Sequence, residues 1–510
     1  MNEKNILISQ KGRRYLCFAR LLRSRGALRK ISAPLLLTTF FFLSPPLSAA
    51  ERSLSYKEAL RIAFEKNSDI KIARLEEELG DAFINQAQAL FDTQFFTGAD
   101  WMDDRDKPSS TVPGTRNKTG VIQAGLGKKL LFGATANLQF KNIYKETNSA
   151  FSELKKYWDP RLELTITQPL LKNAFGTNDR RELKRARFQA EISKQGSKEK
   201  IEGAMQAISN LYWELSAAAS HREIKKQALA DAERLLSANQ KKLKLGLVEK
   251  TDLLASEANV SARENDLLIA QNQWDFAHTH LKIALRDDSG DVIVAKDPLK
   301  HKEVTPAFEE SIRKAFHQRK DYKIAKEELQ FKMASHGIRK NALLPELNVT
   351  GMVAYNGLDP EYEKAIEDVG TFDFPTYFIG ATLTFALENH EARGAYQKSR
   401  IEKLQALYRV EKLENEIRLD IAKKIELLKT HGLQVKTSDR ISRLLKQKKI
   451  AEEEKFNQGR SSINFVVQSQ EDYLVSQSNA IQVLLNYEKT LLDLKRSEGS
   501  LLEEMIQELI

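Results

Sequence analysis

No proline interrupts the chain between Asn178 and Leu245, and Ile201, Ala204, Met205, Ile208, Leu211, Tyr212, Leu215 and Ala218 mark a helical apolar face within it. A single helix over these residues would be about 100 Å long at 1.5 Å per residue. No compact globule holds such a rod. It needs partners of similar length, in a coiled coil or an elongated bundle. Gly246 breaks the pattern, and a second helix is predicted over Glu249–Leu285. The same pair returns later: a helix over Glu391–Asn457, a break at Gly459, and a last helix from Asn464 to Glu498. The breaks align, with Leu253-Leu254 against Val466-Val467 and Ser256 against Ser469.

A second repeat lies upstream of each pair. Glu58–Ala73 (EALRIAFEKNSDIKIA) returns 252 residues later as Glu310–Ala325 (ESIRKAFHQRKDYKIA), with eight of sixteen positions identical. Repetition at this separation indicates an internal duplication. The first copy opens a helix predicted from Leu54 to Leu90, with Ser55 and Glu58 spaced as a capping box. Its counterpart spans Glu309–Leu343.

Between these helices and the long ones the period falls to two. Residues 93–101, 121–127, 134–140 and 161–168 read as strands in the first half, and Leu347–Tyr355 and Tyr377–Leu387 in the second. Each has one apolar and one polar face, which suits a soluble sandwich or a membrane barrel. Tyr144, Tyr157 and Trp158 lie at a strand border, where an aromatic belt would lie. A few strands cannot close a membrane barrel alone, and an open edge in lipid leaves backbone groups unpaired. Closure would need several chains. The alternative is a periplasmic coiled-coil scaffold with a small soluble β-domain.

Nine of the 80 Lys/Arg and one of the 70 Asp/Glu fall in residues 1–50, so most of the net charge of +10 sits there. The remainder is close to neutral, which argues against a nucleic-acid partner. Residues 1–50 read as a signal peptide: a basic region, the apolar run ISAPLLLTTFFFLSPPL, and Ser48-Ala49-Ala50 for cleavage. The only cysteine, Cys17, lies inside it. The mature chain is therefore expected to lack thiolate metal sites and cysteine nucleophiles. No HExxH and no phosphate-binding loop occurs. No catalytic residue, metal site or cofactor is expected. The predicted organisation is signal peptide 1–50, first repeat 51–290 with a β-segment near 91–170, linker 291–305, second repeat 306–498 with a β-segment near 346–387, and an amphipathic tail 499–510.

Several motifs resemble the TolC family of bacterial outer membrane efflux and secretion channels. They are LSYKEALRIAFEKNSDIKIA, TQPLLKNAFG (Thr167–Gly176), LENHEARGAYQKS (Leu387–Ser399), KLKLGLVEKTDLLASEA (Lys242–Ala258) and KFNQGRSSINFVVQSQEDYL (Lys455–Leu474). The resemblance implies a mainly α protein with a β-barrel contribution: a homotrimeric α-barrel in the periplasm, continuous with a shared twelve-stranded barrel in outer membrane lipid. It implies a gated passive duct, served by a periplasmic adaptor (membrane fusion) protein and an inner-membrane transporter of RND or ABC type. Carried onto this chain, Gly246, Leu247, Val248, Gly459, Arg460 and Ser461 form the adaptor-docking tips. Glycine there permits the tight reversal or a close backbone approach. Asp252 and Asn464 occupy matching positions just past the turns, as helix caps or gate residues. Gln168, Pro169, Leu170, Leu387, Asn389, Arg393 and Gly394 mark the barrel exits. Two departures stand out. Ala386 replaces the proline usual at the second exit, and the first half has more strand-like sequence than a two-strand contribution needs.

Overall fold

The structure, a computed structural model, describes residues 51–110, 112 and 114–509. The signal peptide, its cleavage site and Cys17 lie outside the described residues. The first half runs β1 (Glu51–Leu54), α1 (Tyr56–Lys66), α2 (Ser68–Gln88), β2 (Gln94–Asp104), β3 (Asn117–Lys129), β4 (Thr135–Thr147), β5 (Lys156–Pro169), α3 (Thr177–Lys244) and α4 (Lys250–Leu285). The second runs β6 (Val292–Ala295), α5 (Phe308–Gln318), α6 (Lys320–Asn341), β7 (Glu346–Asn356), α7 (Tyr362–Thr371), β8 (Pro375–Thr384), α8 (His390–Asn457), α9 (Ile463–Glu498) and α10 (Leu501–Leu509).

The duplication is metric. α3 and α8 are each 68 residues, and α4 and α9 are each 36. One offset of 213 residues carries Thr177 to His390 and Lys250 to Ile463. Long antiparallel neighbours α3–α4 and α8–α9 supply the mutual burial that a rod of this length requires.

Three expectations are corrected. The helix predicted from Leu54 to Leu90 is two helices, broken at Asn67 (φ −59°, ψ 135°), and its counterpart breaks at Arg319 (φ −57°, ψ 127°). Neither residue is a glycine or proline, so the break has no compositional mark. Asn67 caps α2 by accepting the Asp69 and Ile70 N–H groups at 2.8 and 3.2 Å. The Ser55–Glu58 capping box at α1 is formed. Second, the linker 291–305 contains β6, which pairs in parallel with β1. Third, the loop between the second-half strands holds a ten-residue helix, α7.

One core lies where the two ends of the first half meet the C-terminus. Leu60, Ile70, Met205, Tyr212, Leu281 and Leu285 are fully buried there, with Leu501, Leu502 and Met505 of α10 packed among them. The amphipathic tail is therefore a structural piece of this core. A smaller core around Ala315, Ile417 and Ile421 serves the second half.

The remaining strands form one antiparallel sheet in the order β2-β3-β4-β5-β7-β8. All six read from sequence are present, and the four in the first half are longer than expected. β4 continues through Lys141 and Lys145 to Thr147, and β5 begins at Lys156. Charge disguised these extensions as loop. The three-chain, twelve-stranded barrel implied by the resemblance needs four strands per chain, whereas this chain brings six to one sheet.

Candidate functional site

Residues directly opposite in neighbouring strands share a face, so the register sorts the sheet into two surfaces. One apolar row crosses every strand: Phe95, Leu126, Leu138, Leu164, Val353 and Tyr377. Rows of Ile122 with Ala99 and of Phe140 with Leu162 lie on the same face. The opposite face carries rows such as Gly98, Gln123, Lys141, Arg161 and Asn356.

The apolar face is banded along the strands. Moving away from the helices, the apolar rows, interrupted by Asn142 opposite Ile122, give way to Trp101, Gly120, Tyr144 and Trp158 at one level. Trp101 stacks on Tyr144 with centroids 5.9 Å apart, Tyr144 lies 4.9 Å from Trp158, and Trp158 lies 5.1 Å from Tyr362 of α7. Gly120 makes the first contact possible, because a Cβ there would sit 2.9 Å from the Trp101 ring. The next row on this face is charged, with Asp103, Lys118, Glu146 and Lys156, and Lys118 is ion-paired to Glu146 at 2.8 Å. Apolar, then aromatic, then charged is the order of a hydrocarbon layer, its interface and water. Tyr144 and Trp158 share this face, whereas Tyr157 falls on the other one. Strands of 10–14 residues meet or exceed the roughly 9–11 that a tilted membrane strand needs. Among the described residues, no helix is long and apolar enough to cross a membrane.

The sheet joins the long helices through the exit motifs. Pro169 ends β5, the Leu170 N–H donates to the Leu347 carbonyl at 2.8 Å, and the Gln168 amide donates to the Phe132 carbonyl at 3.3 Å. Asn389 adopts φ +47° ahead of α8, and its carbonyl accepts the Arg393 N–H at 3.0 Å. Leu387, Arg393 and Gly394 are exposed. Sequence reading missed the polar knot opposite. Asn173, at φ +59°, donates its side-chain amide to Asp179 at 2.8 Å and its backbone N–H to Asn341 at 2.7 Å, and Lys129 pairs with Asp179 at 2.7 Å. Only the LLKNAFG motif, which contains Asn173, hinted at it.

At the far ends of the helices the two turns are superposable in their hydrogen bonding. Gly246 N–H donates to the Leu243 carbonyl and Leu247 N–H to Lys242; Gly459 N–H donates to Phe456 and Arg460 N–H to Lys455. These are Schellman closures with the glycine in the left-handed region, φ +71° at both. A Cβ at either glycine would meet nothing within 4 Å. The glycines are there for φ and not for close backbone approach. Leu247 and Arg460 are exposed, Val248 and Ser461 half-buried. Asp252 accepts the Glu249 N–H at 3.2 Å, the reciprocal half of a capping box. The 213-residue offset sets Asn464 against Thr251, so its expected equivalence to Asp252 is off by one and Phe465 holds that position.

Ties unmarked in the sequence bind these tips within one chain. Lys242 donates to the Phe456 carbonyl at 3.0 Å and sits 3.8 Å above its ring. Lys449 pairs with Asp231 in a partly closed groove, and Arg263 bridges Asp266 at 3.3 Å and Glu471. Midway along the helices lies a second charged cluster. Lys320, 4% exposed, donates to the Gly499 carbonyl at 2.5 Å and faces Glu202 at 3.4 Å. Burial pushes the Glu202 carboxyl up from its ordinary value, against the pull of Lys320 and the Leu502 N–H. At Asp420 burial pushes the same way, but the Ser497 hydroxyl, Lys424 and Arg319 outweigh it and hold the carboxyl below its usual range. The cluster shows the duplication again: Arg319 donates to the Ser497 carbonyl at 3.3 Å as Asn67 does to Ala284 at 2.9 Å. Among the described residues no group of His, Cys, Asp and Glu could hold a metal ion.

Two rods in each half, of 68 and 36 residues in both, joined to a sheet with one apolar face, define the class: the fold is that of solved outer membrane channels. The Campylobacter jejuni CmeC outer membrane channel matches at TM-score 0.65 with 15% identity, covering 89% of both chains. VceC, an outer membrane protein of Vibrio cholerae, matches at 0.64 with 13% identity, covering 87% of this chain and 96% of its own. The open state of the Neisseria gonorrhoeae MtrE outer membrane channel matches at 0.64 with 14% identity, covering 88% and 89%. No curated protein matches in sequence. The family described as Outer membrane efflux protein matches residues 142–285, from within β4 to the end of α4. The sequence match is confined to those residues, and over most of the rest of the chain the likeness is one of fold.

Proposed function

We propose that the protein is the outer membrane exit duct of a multi-component efflux or secretion system, a passive conduit with no catalytic role. The observation that carries this reading is the sheet itself: an apolar, aromatic-girdled face combined with two edges, β2 and β8, that no strand among the described residues covers. In lipid each unpaired backbone group costs several kcal/mol, so the edges must pair across copies. Three copies side by side close both the sheet and the tube of helices. Exposed apolar side chains on the long helices support packing between copies, among them Leu268, Phe276 and Ile283 on α4 and Leu419 and Leu433 on α8. The helices then extend into the periplasm. The Gly246 and Gly459 tips meet a periplasmic adaptor, and the adaptor links them to an inner-membrane transporter of RND or ABC type.

The test is fractionation followed by conductance. The unheated protein should run as a heat-dissociable trimer from the outer membrane fraction and should insert into a planar lipid bilayer. A soluble monomer from the periplasm would defeat the reading and favour the scaffold alternative.

A further inference from the structure

We propose that the β3–β4 hairpin is part of the membrane wall, so that three copies close an eighteen-stranded barrel and not a twelve-stranded one. The proposal rests on the membrane-channel reading above and adds to it the composition of the wall.

Four observations carry it. The ladder is unbroken, with β3 paired to β2 along Asn117–Gly127 and to β4 along its whole length. The hairpin continues the rows of its neighbours: Ile122, Leu126, Leu138 and Phe140 fall on the apolar face, Gln123 and Gln139 on the polar one. Its turn lies at the helix end of the sheet and is seated there. Gly133 (φ +83°) and Gly176 (φ +71°) approach so closely that a Cβ on Gly133 would lie 2.3 Å from the Gly176 nitrogen. Lys129 pairs with Asp179 on the first turn of α3. A hairpin projecting above the membrane would have neither this seat nor a lipid-compatible face.

Topology permits the insertion without disturbing the rest. Two added strands leave β2 antiparallel to β5 and keep each side chain on its own face, as the row from Gln94 through Gly127 and Asn137 to Thr165 shows. Barrel diameter grows roughly linearly with strand number, so eighteen strands give a lumen about 1.5 times as wide as twelve. The four long helices per chain are unchanged, so the widening is confined to the mouth.

Single cysteines for nitroxide labelling would be placed at Ile122, Leu138, Gln123 and Gln139 in a Cys17→Ser background, with Leu164 and Val353 as controls. The labelled full-length oligomers would be reconstituted into vesicles of phosphatidylethanolamine and phosphatidylglycerol. Collision with oxygen is then compared with collision with a water-soluble nickel chelate. Labels at Ile122 and Leu138 should favour oxygen as strongly as those at Leu164 and Val353, while Gln123 and Gln139 favour nickel. Nickel access at Ile122 and Leu138 alone would overturn the eighteen-strand wall and leave the channel standing. Nickel access at all four apolar positions would overturn the channel reading and the wall with it. Independently, electron cryomicroscopy of the unlabelled oligomer should count eighteen strands; twelve would refute the proposal.

Discussion

Replacing Gly133 by alanine separates the two reasons a glycine is needed, because Gly246 provides a matched control. Both residues occupy the left-handed region, at φ +83° and +71°. A non-glycine residue there costs about 1–2 kcal/mol. At Gly246 nothing lies within 4 Å of the new Cβ, so Gly246→Ala is limited to that term. At Gly133 the Cβ meets the Gly176 nitrogen at 2.3 Å and its Cα at 2.7 Å, both backbone atoms on a segment pinned by the Asn173 knot. Overpacking of this kind adds about 1–3 kcal/mol. Gly133→Ala is therefore expected to cost about 2–5 kcal/mol and to act where the sheet meets α3. The assay is the temperature at which the detergent-solubilised oligomer dissociates, with hydrogen exchange mapped over residues 129–135 and 174–180. The alanine at 133 should lower the temperature more than the one at 246 and should accelerate exchange at both segments. Equal effects from the two variants, or exchange confined to the hairpin, would refute the argument that the Gly133–Gly176 approach couples sheet to helix.

Lys320→Met leaves Glu202 buried without its cation and is expected to cost about 3–5 kcal/mol in chemical denaturation, whereas Lys320→Met combined with Glu202→Leu should recover much of that loss. Tyr212→Phe removes the hydroxyl whose one proton is shared between the Leu54 carbonyl at 3.0 Å and the Asp297 carboxylate at 3.1 Å and whose oxygen accepts the Asp297 N–H at 3.1 Å, and should lower stability by about 1–3 kcal/mol on the same measurement. Asp420 has a folded-state value below its unfolded one, so its stabilisation is full above the ordinary aspartate range and is lost as pH falls through the lowered value. Melting temperatures between pH 7 and pH 3 should fall less steeply for Asp420→Asn than for the native protein, with the two curves converging at the acid end.

The rods were legible because their signal is long and redundant. A 68-residue pattern survives local ambiguity, and α3, α4, α8 and α9 were each placed to within one residue. The sheet was legible in its centre and not at its ends. Lys141, Lys145, Asp159 and Arg161 all lie on the polar face, so their charge is what an alternating membrane strand puts there, yet charge in a short window also marks a loop. The breaks at Asn67 and Arg319 left no trace because their backbone conformation is open to any residue. Hydrogen bonds to Ala284 and Ser497, each more than 170 residues away, accompany those breaks and lie beyond the reach of local reading. The same holds for Lys242 and Lys449. Nothing local separates Lys242 from Lys241 or Lys244, and the partner that gives it a role lies 214 residues on.

The two halves have diverged unequally, and the constraint on each part says why. In the tube proposed above a helix shares its length with every neighbour, so adding a turn to α3 alone would displace one tip from the plane of the rest. Lengths of 68 and 36 residues are accordingly kept in both halves. Strand number carries no such penalty, provided that strands are added in pairs. An odd insertion would send the chain to the wrong end of the sheet, whereas a hairpin returns it to the same end on the same face. The first half spends four strands and the second two between helices of identical length, β2 to β5 against β7 and β8. The mouth can thus change width while the rods beneath it do not. The contact at which the two must be reconciled is the one where the added hairpin meets the first turn of α3, through Gly133 on Gly176 and Lys129 on Asp179.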